Sequence, residues 1–150
     1  MAWYPLHGRH EEAWHGAAPT QRSTGMMIAR EWVIAGAVCA MVGVALGAFG
    51  AHGLSGWVAP DLLIIWETGA RYQMYHAFGM FVVAIVAGQW PQSPASMAGW
   101  AFLAGVVLFS GSLYLMALTG IRLFGAITPL GGVAFIYGWA TIGWSAWRAS

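Results

Sequence analysis

One uncharged stretch constrains the fold of this chain more than any other feature of its sequence. Residues 32–51 contain only apolar residues, glycine and one cysteine. In a helix, a stretch of this length rises about 30 Å, which is the thickness of the hydrocarbon core of a bilayer. Because a helix satisfies its own backbone hydrogen bonds in lipid, residues 32–51 predict a transmembrane helix.

The composition of the whole chain supports a membrane location. Hydrophobic residues make up 59% of the 150 residues and charged residues 7%, whereas soluble domains carry about 25% charged residues. So few charges cannot cover a globule with a water-soluble shell. The net charge of +1 and the lack of a basic stripe give no indication of nucleic-acid binding. The predicted partner is therefore the lipid bilayer.

Further apolar stretches predict an all-α, polytopic membrane protein, a four-helix transmembrane bundle with small residues on its packing faces. The four predicted crossings are residues 32–51, 71–88, 99–118 and 128–147. The connection between the second and third crossings carries two prolines and no charge, as expected of a tight turn. We expect one transmembrane domain over residues 26–150.

Residues 1–25 differ from everything that follows. They are rich in histidine and charged residues, contain two prolines and show no apolar period. Such a segment buries too little apolar surface to offset its ordering entropy. We expect a disordered tail, and Met26 or Met27 is an alternative start of the protein.

Glycines predict where the first helix ends. Gly50 and Gly53 flank His52, and glycine readily adopts the conformation that ends a helix. We expect the helix to end near His52 and the backbone to turn sharply there. Asp61 is then the predicted N-cap of the next helix, because its carboxylate can accept a hydrogen bond from the first turn.

The start of the fourth crossing has two interpretations. Thr128 followed by Pro129 is the pattern of an N-cap and a first helical residue, since proline lacks an N–H that this position does not use. Residues 121–127 would then be partly re-entrant. In the alternative, one long helix is kinked at Pro129 and its neighbours satisfy the freed carbonyl.

Small residues predict close packing between the helices. Gly43 and Gly47 form a GxxxG pattern in the first crossing, and later helices carry Gly111, Gly131 and Gly132. Small residues let helix backbones approach closely in lipid. We interpret these glycines as sites of packing within the chain rather than as a dimer face.

The arginines indicate an orientation in the membrane. Four crossings place both termini on one side, which carries Arg22, Arg30 and Arg148. The other side carries Arg71 and Arg122. Because cytoplasmic segments carry the excess of Lys and Arg, we expect both termini to be cytoplasmic.

Residues 67–76 hold most of the polar chemistry of the apolar region. On a helix, Glu67 and Arg71 can contact each other across one turn, and so can Tyr72 and His76. In the predicted topology, a set of polar side chains gathers near one rim of the bundle: His52, Glu67, Arg71, Tyr72, Tyr75, His76, Tyr114 and Arg122. Ionisable groups in a membrane are functional candidates, although a purely structural pairing accounts for them equally well.

Four sequence motifs, in order, resemble one known protein family. They are A-L-G-A-F-G-A-H-G-L (residues 45–54), E-T-G-A-R-Y-Q-M-Y-H-A (67–77), L-F-S-G-S-L-Y (108–114) and I-T-P-L-G-G (127–132). The chain is similar over about residues 28–147 to the small bacterial membrane proteins of domain-of-unknown-function family 423. The resemblance implies a four-helix protein of the inner, cytoplasmic membrane and brings no established substrate, cofactor or catalytic residue.

Three classes of function remain open from the sequence. The first is a non-enzymatic accessory subunit that docks onto a larger membrane complex. The second is an oligomeric channel or carrier built around Glu67, Arg71 and His76. The third is a haem or metal protein with His52 and His76 as ligands, although the sequence itself predicts no cofactor. No HExxH, CxxC, GxSxG or phosphate-loop motif indicates an enzyme.

Overall fold

The computed structural model describes residues 20–149, which form four long helices connected by short turns. The helical elements in chain order are α1 (Gln21–Ala48), α2 (Pro60–Gln89), α3 (Ala95–Gly105), α4 (Gly111–Thr119) and α5 (Thr128–Arg148). The π-helical segment Val106–Ser110 joins α3 and α4 into one continuous helix. The π-helical segment Phe49–Leu54 prolongs α1, and the 3-10 helix Arg122–Ala126 precedes α5. The all-α prediction is confirmed.

Within the described part of the chain, three helices are long and apolar enough to cross a membrane, judged by length and composition. They are Ser23–Leu54, Ala95–Thr119 and Arg122–Arg148. The remaining helix, α2, carries Arg71, Gln73 and His76 in its first half, and these side chains lower its mean hydropathy. A bundle with four crossings therefore stays a prediction.

Helix α2 lies at the centre of the fold and contacts all the other helices. On one side α1 packs along it, with Gly36 against the carbonyl of Ala77 and the ring of Phe81. On its other sides it meets α3, α4 and α5. As a result, Met80 and Val83 of α2 have no exposed surface.

Aromatic rings opposite glycines hold α2, α3 and α5 together. The ring of Phe102 on α3 lies between Gly79 on α2 and Gly138 on α5. A Cβ built on Gly79 would lie 2.9 Å from this ring, and a Cβ on Gly138 would lie 2.5 Å from it. Phe135 of α5 contacts Gly105 of α3 in the same way. The rings therefore pack directly on the neighbouring backbones, as small residues permit.

The helices alternate in direction, so their ends gather at two ends of the bundle. At the first end, Gly25 of α1 lies against Pro91 in the α2–α3 turn, and Arg148 of α5 lines a cavity beside the same turn. At the second end, Arg122 donates a hydrogen bond to Asp61 at 2.8 Å. The start of α1 and the end of α5 thus share the first end.

The first helix begins earlier than predicted. Residues 1–19 of the predicted tail lie outside the described residues, whereas the chain is helical from Gln21 onward. The N–H of Ser23 donates to Oγ1 of Thr20 at 3.3 Å, so Thr20 is the N-cap. The predicted domain boundary after residue 25 therefore falls inside a helix.

The helix ends two residues beyond His52, but the predicted role of Gly50 in ending it is wrong. π-helical hydrogen bonding carries the helix through Gly50 to Leu54, and the chain turns at Gly56, whose φ is 94°. Gly50 serves close packing instead, because a Cβ there would lie 2.5 Å from the ring of Trp66. The glycine permits a ring contact and does not end the helix.

The predicted N-cap role of Asp61 is also wrong. Ala59 caps α2 without a side-chain hydrogen bond, and Pro60 occupies the first turn, where its missing N–H costs nothing. The carboxylate of Asp61 is bound to Arg122 instead. Asp61 therefore binds a residue 61 positions away and does not cap its own helix.

The start of α5 differs from both sequence interpretations. Ile127 is the cap position, Thr128 is the first helical residue, and Pro129 follows it inside the first turn. Oγ of Ser112 lies 2.9 Å from Oγ1 of Thr128, so the threonine hydroxyl joins α4 to α5 rather than capping the helix. The 3-10 helix Arg122–Ala126 has no buried residue, and a partly re-entrant position of this segment in the membrane stays a prediction.

The glycines predicted to pack divide into two groups. Gly131 lies against the backbone nitrogen of Phe109, and Gly43 is in ordinary contact with Gln73 and Met74. In contrast, a Cβ would meet nothing within 4 Å at three of the predicted positions: Gly47, Gly111 and Gly132. The second group has no packing role within the described residues.

Adjacent glycines on α5 give a matched test of this packing. Gly131→Ala should lower the free energy of unfolding by about 1–3 kcal/mol, because the new methyl group overlaps the Phe109 backbone. Gly132→Ala should leave it unchanged or raise it by up to about 1 kcal/mol, because alanine is the better helix former. Thermal unfolding in mild detergent measures both. Equal effects of the two variants would contradict the tight α4–α5 contact.

Candidate functional site

A buried glutamine connects three helices. Gln73 of α2 is only 4% exposed. Its Nε2 donates to the carbonyl of Cys39 on α1 at 2.9 Å, and its Oε1 accepts from the hydroxyl of Tyr114 on α4 at 3.0 Å. The Cys39 thiol lies 3.9 Å from the carbonyl of Gln73, within reach of a weak hydrogen bond. These contacts form the polar network of the protein.

The polar network explains how an amide is accommodated in apolar surroundings. A buried amide without partners costs roughly 1–3 kcal/mol in proteins. Each end of the Gln73 amide therefore needs a hydrogen bond, and α1 and α4 provide one each. Because those partners lie on different helices, the amide also fixes the height of α1 and α4 against α2.

His76 lies one turn further along α2 and faces the bundle interior. Its Nδ1 donates to the carbonyl of Tyr72 at 2.7 Å. A carbonyl has no proton, so this hydrogen bond requires the proton on Nδ1. The imidazole ring stacks on Phe135 of α5, with centroids 3.3 Å apart and 4° between the planes. The predicted contact of Tyr72 with His76 is present, through the backbone and through stacked rings.

Aromatic rings surround His76. Phe102 and Trp139 lie 5.4 Å and 6.3 Å from it, centroid to centroid. Tyr72 stacks on Phe109 at 4.6 Å and extends the cluster. The histidine is therefore a packed core ring whose hydrogen bond is local.

A groove lies over the polar network, between α1 and the continuous α3–α4 helix. It has a volume of about 540 Å³ and is open to the outside of the bundle. Val38 and Val42 of α1 form one wall, Leu103 and Val107 the other, and Gln73 lies between them. Helix α1 packs along α2 rather than along α3, and near the first end Trp32 of α1 contacts Ser96 and Trp100 of α3.

The rim predicted from the sequence is not assembled as one site. His52, Glu67, Arg71 and Tyr75 are all exposed, whereas His76 faces inward. Among the side chains that the structure describes, Arg122–Asp61 is the only ion pair, so Glu67 and Arg71 do not pair across their turn. The structure brings together Tyr72 with His76 and leaves the charged members of the cluster separate.

The alternative of a haem ligated by both His52 and His76 does not fit the structure. Helix α1 lies beside Ala77 at Gly36, and His52 is about 24 Å further along the helix. His76 is held next to Ala77, so the two imidazoles cannot ligate one iron. Within the described residues, no three His, Cys, Asp or Glu side chains lie close enough to hold a metal ion.

Sequence reasoning missed Gln73 and the role of Asp61. The signal for Gln73 was its spacing, since Gly69, Gln73, His76 and Met80 recur at helical intervals and all four are buried. No comparable signal existed for Asp61, whose partner is 61 positions away.

The tyrosine in the polar network can be compared with an exposed one. Tyr114→Phe should lower the free energy of unfolding by about 0.5–1.5 kcal/mol, because Oε1 of Gln73 loses its donor. Tyr75→Phe should cause no measurable change, because Tyr75 is 54% exposed. Urea unfolding in mixed micelles provides the comparison. If both variants were neutral, the hydroxyl of Tyr114 would contribute nothing to the network.

Comparison with known proteins identifies one family. The sequence profile of the family described as "Protein of unknown function (DUF423)" matches residues 46–132. The chain is 53% identical over 112 residues to the UPF0382 membrane protein YwdK of Bacillus subtilis, which covers 74% of this chain and 91% of that protein. It is 48% identical over 108 residues to the UPF0382 membrane protein SH2409 of Staphylococcus haemolyticus, covering 72% and 88%. No solved structure matches the chain significantly.

The matched range and the structure agree with each other. Residues 46–132 contain Gln73, His76, Tyr114 and the Asp61–Arg122 ion pair. The relatives are membrane proteins by name, and three helices of this chain have the length and composition of membrane spans. The resemblance read from the four sequence motifs is confirmed. This chain is a helical membrane protein and belongs to the DUF423 family of proteins of unknown function.

Proposed function

We propose that this protein is a non-enzymatic accessory subunit that crosses the inner membrane four times and associates with a larger membrane complex. Helix α5 has 21 residues and a length of about 31 Å, close to the roughly 30 Å of the hydrocarbon core. The Thr128–Ser112 contact makes the start of α5 level with Ser112. Gly69 of α2 lies against Tyr114 at nearly the same level, and the stretch from Gly69 to Gln89 matches α5 in length.

The polar residues of α2 are compatible with a fourth crossing. Gln73 and His76 face the protein interior and have hydrogen-bond partners, so they do not meet lipid. Arg71 faces outward within a turn of Gly69, where a long side chain can extend to the headgroups. Glu67 lies on the water side of Gly69 in this arrangement.

The charges at the two ends support an orientation with both termini in the cytoplasm. The first end carries the exposed Arg30 and Arg148, and Arg148 lies over the ring of Trp144 at 5.3 Å. At the second end, Arg122 is neutralised by Asp61, and the charge of the exposed Arg71 is balanced by that of the exposed Glu67. Arg30 and Arg148 outnumber Glu31 at the first end, which fits the cytoplasmic face, and tryptophan suits the interface.

Two open glycines on α5 are the observation that carries the proposal of a protein partner. A Cβ at Gly132 or Gly143 would meet no atom within 4 Å. The two glycines lie about three turns apart on one face, with Ile136, which is 71% exposed, between them. An exposed glycine costs a helix about 1 kcal/mol relative to alanine. A second helix can offset this cost by close backbone contact, which a lipid chain cannot provide.

The glycines that face the interior make the contrast clear. Gly131 and Gly138 lie on a different face of α5 and each contact a phenylalanine, so the fold itself requires them. Gly132 and Gly143 have no such contact and no positive φ. A partner helix along the outward face of α5 gives these two glycines a role.

The other functions considered from the sequence have less support. Glu67 and Arg71 point outward and His76 points inward, so they do not line a common path for an ion. The separation of His52 from His76 excludes a haem that both histidines ligate. We therefore propose neither a channel nor a haem protein.

Site-specific photocross-linking in native membranes tests the partner. A benzoylphenylalanine at position 136 should form an adduct with a second protein, because Ile136 lies between the two open glycines. Replacing both glycines with leucine (Gly132→Leu, Gly143→Leu) should reduce the adduct by about tenfold or more, since the backbones can no longer approach.

The matched control is Gly47→Leu, which fills an equally open position on α1 and should leave the adduct unchanged. Absence of any protein adduct at position 136 would contradict the proposal. An adduct with a second copy of this chain would replace the accessory role with homo-oligomerisation.

A further inference from the structure

The groove over the polar network has the size and lining of a ligand site. Its volume of about 540 Å³ lies within the range of roughly 300–1,000 Å³ typical of small-molecule pockets. The walls formed by Val38, Val42, Leu103 and Val107 are apolar. Small-molecule pockets combine such walls with a few polar groups that fix the orientation of the ligand.

Gln73 has hydrogen-bonding capacity that the protein does not use. A primary amide has two N–H groups and two oxygen lone pairs. One N–H of Nε2 donates to the carbonyl of Cys39, and Oε1 accepts one hydrogen bond from the hydroxyl of Tyr114. Within residues 20–149, the second N–H of Gln73 has no acceptor, and the side chain lines the groove. A ligand oxygen placed there would satisfy it.

The lining also limits the charge and the shape of the ligand. No Asp, Glu, Lys or Arg side chain lines the groove, so it offers nothing to a phosphate headgroup. At the same end as Gln73, the groove is lined by the aromatic side chain of Tyr114. Aromatic side chains pack well against planar rings. These features favour an uncharged, planar head with an oxygen acceptor.

The position of Gln73 fits a lipid-borne head. Gln73 is one turn from Gly69, the residue that is level with the start of α5, so the polar end of the groove faces the second end of the bundle. Leu103 and Ala35 lie at the opposite, deeper end of the groove, which is wholly apolar. A ligand with its polar head at Gln73 and its hydrocarbon tail toward Leu103 would match this change from a polar to an apolar lining.

We propose that this groove binds a neutral lipid with a planar carbonyl-bearing ring and an apolar tail, the chemistry of a prenylquinone. The ring carbonyl accepts the free N–H of Gln73, the ring packs beside Tyr114, and the tail lies between Val38 and Val107. The proposal concerns binding alone. It is independent of the partner on α5, because the groove lies between α1 and α3–α4.

Photoaffinity labelling of the purified protein in lipid nanodiscs tests the site. The probe is ubiquinone-2 with a diazirine on its isoprenoid tail, and mass spectrometry locates the adducts. We expect labelling at Val38, Val42 or Val107. Val107→Trp should reduce it to background by filling the groove, because this 65% exposed position accepts a larger ring without disturbing the core. The matched control is Val133→Trp on α5, also 64% exposed, which should leave labelling unchanged.

A second probe separates head recognition from simple lipid contact. It carries the same diazirine prenyl tail without the quinone ring. Gln73→Leu should weaken binding of the quinone probe about tenfold, through loss of one hydrogen bond, and leave the hydrocarbon probe unaffected. If Gln73→Leu fails to fold, Val107→Trp alone decides the question.

Three results would overturn the proposal. The first is equal labelling of the groove by both probes in the unmodified protein, which indicates bulk lipid. The second is undiminished quinone labelling in Val107→Trp. The third is a protein adduct from benzoylphenylalanine at position 107 in native membranes, which indicates a helix in the groove. None of these results bears on the cross-link at position 136.

Discussion

Direct packing of aromatic rings on glycine is the interaction on which the rest of this structure depends. Phe102 has no exposed surface, and its ring lies between Gly79 and Gly138 on two other helices. In lipid, apolar helices gain nothing by hiding apolar surface from water, so van der Waals contact must hold them together. Each ring that contacts a glycine also fixes the relative height of two helices. That height is what places Gln73 beside Tyr114.

The helix that carries a buried glutamine and a buried histidine occupies the centre of this protein, and this reverses the usual arrangement of a soluble bundle. Gln73 and His76 of α2 point inward to hydrogen-bond partners, whereas the charged side chains of α2 and the apolar surfaces of α1 and α5 are largely left outside. The buried polar groups of Gln73 and His76 obtain their hydrogen bonds in different ways. The glutamine is bound by two other helices, whereas the histidine donates within its own helix and stacks on Phe135.

Helices and turns were predictable from the sequence, and contacts between distant residues were not. The uncharged run 32–51 and the prolines of the α2–α3 connection were sufficient to locate helix and turn. Gly50 was misread because glycine has two meanings, a helix end or a close contact, and only Trp66 opposite it decides between them. The predicted rim of polar side chains is not assembled for a related reason. Helical spacing shows which side chains can contact each other, whereas the position of α2 in the bundle decides which of them face the interior.

The unequal lengths of the helices have a consequence for how the protein responds to its surroundings. The span Ser23–Leu54 has 32 residues, whereas α5 has 21. The difference amounts to roughly 16 Å of helix. A bilayer that fits α5 therefore leaves the long helix to lean over, project beyond the headgroups or thicken the membrane around it. Because the first helix is attached mainly to α2, bilayer thickness acts directly on the angle at which it leans.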